Sequence, residues 1–252
     1  MVFIALLTFL AGTFLGSFLC VLIDRIPRNE SFLAGRSKCD HCHKKLSPLE
    51  LIPVISFLLQ KGKCKNCHAK IPRHLIFVES LSGIITLASF LSVYLSGGGI
   101  IEFILLDLIM LSLLGIFVAD LLSGIIPDEF TITIILASFL LIYIQDPGRI
   151  IPNLATGIVS LSLFLFLYFI TSGKGMGFGD VKFSFALGFF LGFPASVVGL
   201  YFAFITAAIV SVILITLGRK KLHGGIIVFG PFLTLGVVFA YFLSTRVLDI
   251  FF

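Results

Sequence analysis

The chain has 252 residues, of which 58% are hydrophobic and 12% charged, with a formal net charge of +5 and a mean hydropathy of +1.16. A soluble domain is nearer 45–50% apolar and about 25% charged, so this composition excludes a soluble globular protein. It describes an all-α polytopic membrane protein whose helices largely face lipid.

Residues 1–23 are apolar and uncharged. They lack a basic n-region and an Ala-x-Ala site, which predicts a retained span and not a cleaved signal. Residues 24–75 form the one sizeable soluble loop and hold eleven of the 18 Lys and Arg. Beside a span, such a cluster follows the positive-inside rule and does not ask for a nucleic-acid partner. Further spans are predicted at about 76–96, 100–120, 129–145, 150–171, 181–193, 197–217 and 226–245. The 181–193 segment is short, and the Gly192-Phe193-Pro194 turn offers a join to its neighbour.

Eight spans with the basic loop in the cytoplasm put the N-terminus outside. The inner turns then carry Lys174 and Arg219-Lys220-Lys221, while the outer turns carry only Arg149. That bias agrees with the orientation. The domain reading is a first span over 1–23, a loop over 24–75, and spans two to eight over 76–252. The pattern shows no internal repeat.

Within the loop, Cys39-x2-Cys42 and Cys64-x2-Cys67 are separated by 21 residues. Two such knuckles read as a structural four-thiolate Zn2+ site. A loop of about 50 residues is too small to fold on its own core, and a metal supplies the staple. Disulfides are disfavoured in a reducing cytoplasm. Both pairs continue into His43 and His68, which is also the c-type haem attachment pattern. A membrane dihaem electron carrier is therefore the alternative from another class. It conflicts with the topology, because haem of that type is attached outside the cytoplasm. Cys20 has no partner nearby in sequence and is assigned to packing. His41, His43, His68 and His74 are read as loop polar groups, and His223 as solvated.

Four glycines at alternate positions, Gly173, Gly175, Gly177 and Gly179, lead into Asp180. An acid opening a helix sits at the positive end of the dipole, and an acid at a membrane edge is a functional candidate. Its bland role is capping. The predicted topology puts Asp120, at the end of span three, at the same inner depth. Two carboxylates a few ångströms apart share one proton and can activate water against a peptide carbonyl. Asp120 and Asp180 are thus the candidate catalytic pair of an aspartyl protease, with Gly177, Gly179, Asp128 and Lys182 as the supporting set. Asp128, after Pro127, is read as a helix cap, with Glu129 in the favourable first turn. Glu102 and Asp107 lie toward the outer end of span three. Asp107 is 13 residues from Asp120, about 20 Å along a helix. Glu79 lies one turn into span two and either meets a cationic ligand or pairs with Arg73 or a neighbouring Lys. A third reading, an ion-coupled transporter, would need its acids at mid-bilayer.

These residues resemble a known family. Gly177-x-Gly179-Asp180 and Asp120-x6-Pro127-Asp128 are similar to the motifs of the type IV prepilin peptidases, which are Gly-x-Gly-Asp aspartyl proteases. Gly16-Ser17-Phe18-Leu19 resembles the family's first motif, with Cys20 where Asn is usual. Glu50 to Leu58 resembles its loop motif. Ile71-Pro72-Arg73 through Val78-Glu79 resembles the entry to span two, with His74-Leu75 in place of Tyr-Pro. Phe229-Gly230-Pro231-Phe232 resembles its last motif, with Val228 in place of Pro. The resemblance implies Asp120 and Asp180 as the catalytic pair. It implies cleavage of the basic leader of a type IV prepilin or pseudopilin precursor at the cytoplasmic face of a bacterial inner membrane. It also implies N-methylation of the new N-terminus from S-adenosylmethionine. The loop near Glu79 and Glu50 is the expected place for that donor.

Overall fold

The computed structural model describes residues 2–28, 30–31, 37–39, 41–173, 175–217 and 228–251, with the side chains of residues 2 and 244–251 left aside. The inner-turn charges at Lys174 and residues 219–221, and His223, lie outside the described residues. The described chain is helical: α1 (Val2–Arg25), α2 (Ile55–Leu59), α3 (Arg73–Leu95), α4 (Ile100–Ser123), α5 (Asp128–Gln145), α6 (Ile150–Ile170), α7 (Phe178–Leu191), α8 (Ala195–Thr216) and α9 (Gly230–Phe251). No strand occurs among the described residues, only two isolated bridges in the loop after α1. In a bilayer a helix satisfies its own backbone, which is why apolar segments of this length take that form.

Among the described residues a helix stands near each of the eight expected spans, but the eight are not equal and do not all qualify as spans. Among the described residues, six are long and apolar enough to cross a membrane. The two others are α7, with 14 residues, and α9, whose described apolar part is Gly230–Leu243. Fourteen residues rise only about 21 Å, against a hydrocarbon core of about 30 Å.

The chain divides into two compact units, Met1–Gly115 and Ile116–Phe252. In the first, α1 and α3 pack antiparallel through small residues. A Cβ added at Gly12 would come within 2.6 Å of Thr86 Cβ, and one at Gly16 within 2.7 Å of Ser82 Cβ and 2.9 Å of Glu79 Cα. Gly83 faces back onto Phe9 and Thr13. This is small-residue packing of the kind that drives helix association in lipid, where burial of apolar area gives nothing. Asp107, in the middle of α4, is buried, and its Oδ2 accepts the Thr86 hydroxyl at 3.2 Å.

In the second unit α7 touches α5, α6, α8 and α9. Val181, Phe183, Ser184, Ala186 and Leu187 are all but inaccessible. A helix apolar all round belongs in such a place, and a short one is tolerated there because its neighbours keep lipid from its ends. Gly192, at φ +67°, stops α7, and the Asn153 side-chain amide donates to the Phe189 carbonyl at 2.9 Å. Gly192-Phe193-Pro194 leads directly to Ala195 at the start of α8. The α8–α9 seam is again glycine on glycine: a Cβ at Gly236 would collide with the Gly199 carbonyl oxygen.

Filling the α1–α3 seam should therefore destabilise the protein. Gly12→Leu or Gly16→Leu costs about 1–3 kcal/mol by overpacking, or roughly 3–10 °C in the melting midpoint of the detergent-solubilised chain. Gly99→Leu, where an added Cβ meets nothing within 4 Å, is the control. Equal melting of all three variants would refute the seam.

Candidate active site and metal centre

The second unit gathers both candidate catalytic acids. Asp120 lies in the last turn of α4, which Gly124 closes at φ +67° by donating its N–H to the Asp120 carbonyl at 2.8 Å. A positive-φ glycine just past a helix is the usual stop signal. Asp180 is the third residue of α7. Its Oδ2 accepts the N–H of Gly177, the residue preceding that helix, at 3.0 Å. Asp120 Oδ2 accepts the N–H of Gly230, which opens α9, at 2.9 Å. Each acid thus sits at a helix N-terminus, where free amides and the dipole favour a carboxylate.

Both side chains are withdrawn from solvent, at 5% and 6% exposure. The Asp120 carboxylate lies within electrostatic reach of Asp180. Asp180 Oδ1 accepts no hydrogen bond from any described residue. An acid pair with one oxygen uncommitted can hold a shared proton or meet a water molecule.

Each supporting residue has a place. A Cβ at Gly179 would lie 3.1 Å from Ile126 Cβ, so glycine lets the turn before α5 close on α7. Gly177 is not sterically constrained: its φ is −76°, and a Cβ there would make ordinary contact at 3.5 Å with Asp180 Oδ2. Its contribution is the amide. Asp128 does not cap α5, because the cap position is Pro127 and no side chain caps there. The Asp128 carboxylate instead meets Lys182 Nζ at 2.7 Å through both oxygens. The pair is 42% and 57% exposed, so it contributes at most about 1 kcal/mol.

Gly230 was the partner hidden from sequence reasoning. A Cβ there would come within 2.6 Å of Asp120 Oδ2. The Gly-Pro step at 230–231 was the available signal, since Pro suits the first turn of a helix and glycine lets another group approach.

In the first unit the four cysteines converge: the Sγ atoms of Cys39, Cys42, Cys64 and Cys67 all lie within 4.8 Å of one another. Cys39 and Cys67 are 3.8 Å apart, the edge expected of a tetrahedron with metal–sulfur bonds of about 2.3 Å. The two knuckles are copies in backbone pattern, so the chain does carry a short repeat. Bridges Lys38–Lys45 and Lys63–Lys70 close them. The His43 N–H donates to the Cys39 carbonyl at 2.8 Å and the His68 N–H to Cys64 at 3.0 Å. His43 and His68 take φ +54° and +56°, a conformation in which His is enriched. That explains the Cys-x2-Cys-His pattern without haem: four sulfurs gathered at one point cannot each reach out to two separate macrocycles.

The thiols are also prepared for a cation. Backbone amides of Cys67 and Asn66 draw the Cys64 thiol down to about 6, and the Lys44 amide lowers Cys42. At Cys67 the Ala69 amide pulls the same way, but desolvation and the neighbouring sulfurs outweigh it and push the thiol up to about 11. Thiols this crowded do not all ionise without a positive charge among them. The donor set therefore fits a metal ion.

Between the knuckles, Glu50 Oε2 accepts both the amide and the hydroxyl of Ser47 at 2.8 Å, which holds the carboxyl below its usual range. Glu79 forms no ion pair with Arg73. Its Oε2 accepts the Val54 N–H at 2.7 Å. The lone mid-helix acid Asp107 is hydroxyl-bonded and does not make the paired intramembrane site of a transporter.

Two family models match. "Bacterial Peptidase A24 N-terminal domain" matches residues 10–93, and "Type IV leader peptidase family" matches residues 107–215. Among curated relatives, a "Prepilin leader peptidase/N-methyltransferase" of Aeromonas hydrophila is 28% identical, over 91% of this chain and 87% of its own length. One of Bacillus subtilis (strain 168) is 29% identical, over 96% of this chain and 95% of its own. No solved structure matches.

Elemental analysis of the purified chain should find about one divalent metal ion per molecule, as a four-thiolate site requires. Cys64→Ser should remove it and Cys20→Ser should not. Metal content unchanged in Cys64→Ser would rule out the site.

Proposed function

Because the chain belongs to the type IV leader peptidase family, we propose that it is an aspartyl endopeptidase that cleaves the leader of type IV prepilin or pseudopilin precursors and then N-methylates the product. The observation that carries the cleavage reading is the pair of buried carboxylates, each gripped through one oxygen by a glycine amide. In the proposed cycle the ionised acid takes a proton from water as the water attacks the scissile carbonyl. The protonated acid polarises that carbonyl and then protonates the leaving amine, so the pair ends ready for the next turn.

In this reading the loop and the active site face the cytoplasm of a bacterial inner membrane and the N-terminus lies outside; the basic residues of the loop support that orientation through the positive-inside rule. The ion in the cysteine site is Zn2+ in a structural role, shaping the loop that meets the leader. S-adenosylmethionine, when bound, supplies a methyl group from its sulfonium to the new α-amine, leaving S-adenosylhomocysteine and a proton. A carboxylate suits a sulfonium: Glu50 presents one on the segment between the knuckles, and Glu79 presents another from α3, where it meets that segment at the Val54 N–H.

A purified prepilin precursor should lose its leader on incubation with the chain in membranes. Asp120→Asn and Asp180→Asn should each reduce cleavage to background with the melting midpoint kept. Gly230→Ala, which thrusts a methyl group onto the Asp120 carboxylate, should cost about 100-fold, while Gly177→Ala stays within a few-fold. Retained cleavage in either Asn variant removes that acid from the mechanism. Glu50→Gln or Glu79→Gln should lower methyl transfer and leave cleavage intact. Unchanged methyl transfer in both would move the donor site elsewhere.

A further inference from the structure

Val54 is strained. It has φ +61° and ψ −51°, and the Ile55 N–H donates to the Pro53 carbonyl at 2.6 Å. That is the γ-turn with positive φ, the rare and costly form. For a β-branched residue it is an outlier that persists only where its surroundings impose it.

The structure supplies one such constraint. Glu79 Oε2 accepts the Val54 N–H at 2.7 Å, a short charge-assisted bond. Glu79 stands on α3, and its Cα lies against Gly16 of α1, so the acceptor is mounted on the α1–α3 seam. Pro53, on the other side of the turn, is buried. The turn lies midway along the segment joining the knuckle closed at Lys45 to the one opened at Lys63, and that segment carries Glu50.

We propose that Glu79 is a positioning residue. Its carboxylate holds the Pro53–Ile55 turn in a conformation Val54 does not adopt unaided, and so sets the segment bearing Glu50 against α3 for methyl transfer. The inference rests on the methyltransferase reading for its purpose, and on geometry alone for its mechanism. It makes Glu79 act through Val54 and not by touching the methyl donor. The distinction is testable because glycine takes positive φ without steric cost: Val54→Gly should make the latch dispensable.

The experiment uses the full-length protein in detergent with two readouts. One is amide hydrogen exchange of peptides spanning residues 50–58. The other is kcat and KM for methyl transfer from S-adenosylmethionine to a leaderless pilin. Glu79→Ala should speed exchange in that segment and lower kcat about tenfold, the loss of one charged hydrogen bond, with KM for the donor little changed. Adding Val54→Gly to Glu79→Ala should slow the exchange again and recover most of kcat. Glu79→Gln, which keeps an acceptor oxygen, should fall between.

Exchange in Glu79→Ala equal to wild type would overturn the latch. So would activity that Val54→Gly does not restore, or a raised KM as the whole effect. If the wild-type chain methylates nothing, the methyltransferase reading fails by itself, and the exchange comparison still decides whether Glu79 holds the turn.

Discussion

Two carboxylates in this protein are held not by cations but by glycine amides. Gly177 donates to Asp180 and Gly230 to Asp120, at 3.0 and 2.9 Å. A buried acid is tolerable only with such donors, and the donors here are the free N–H groups at the starts of α7 and α9. The placement of both helices therefore follows from the need to serve an acid. α7 is short and enclosed, and its first turn carries Asp180. A lysine in place of either amide would fix an ionised carboxylate. An amide leaves the acid free to take up and release a proton.

The first unit meets a different constraint. Its loop leaves Leu49, Leu51, Ile55, Leu58 and Leu59 exposed, so the cysteine pattern does what packing does elsewhere. Two knuckles with matching bridges bring four sulfurs together, and a histidine turns the backbone at the same point in each. Between them the chain is tied to α3 by Glu79. The loop is thus gathered at a four-cysteine cluster and at one strained turn, with little core between.

Helices were readable from sequence because lipid imposes a simple demand: a run of apolar residues without charge. The spans expected over 76–96 and 100–120 appear as Arg73–Leu95 and Ile100–Ser123. The cysteine cluster was readable from spacing. What was not readable is contact made by backbone, since an amide leaves no trace in residue type. The Gly230 bond to Asp120 crosses 110 residues and shows only as a glycine where a methyl group would collide. The Glu79 bond to Val54 leaves no mark at all, and valine is a misleading residue for a positive-φ site. Asp128 looked like a cap because it follows Pro127, but cap and ion pair compete for the same carboxylate, and Lys182, 54 residues on, takes it.

Asp107 has a consequence for how the polypeptide lies in its membrane. A carboxyl group in mid-helix resists settling alone into hydrocarbon. Its hydroxyl partner, Thr86, belongs to the preceding helix and is translated first. Only Ser96–Gly99 separates α3 from α4, so the acid and its donor stand on helices that are consecutive in the chain. A short connection thus brings the donor to the acid, and the hydroxyl offsets part of what it costs to bury a carboxyl group in lipid.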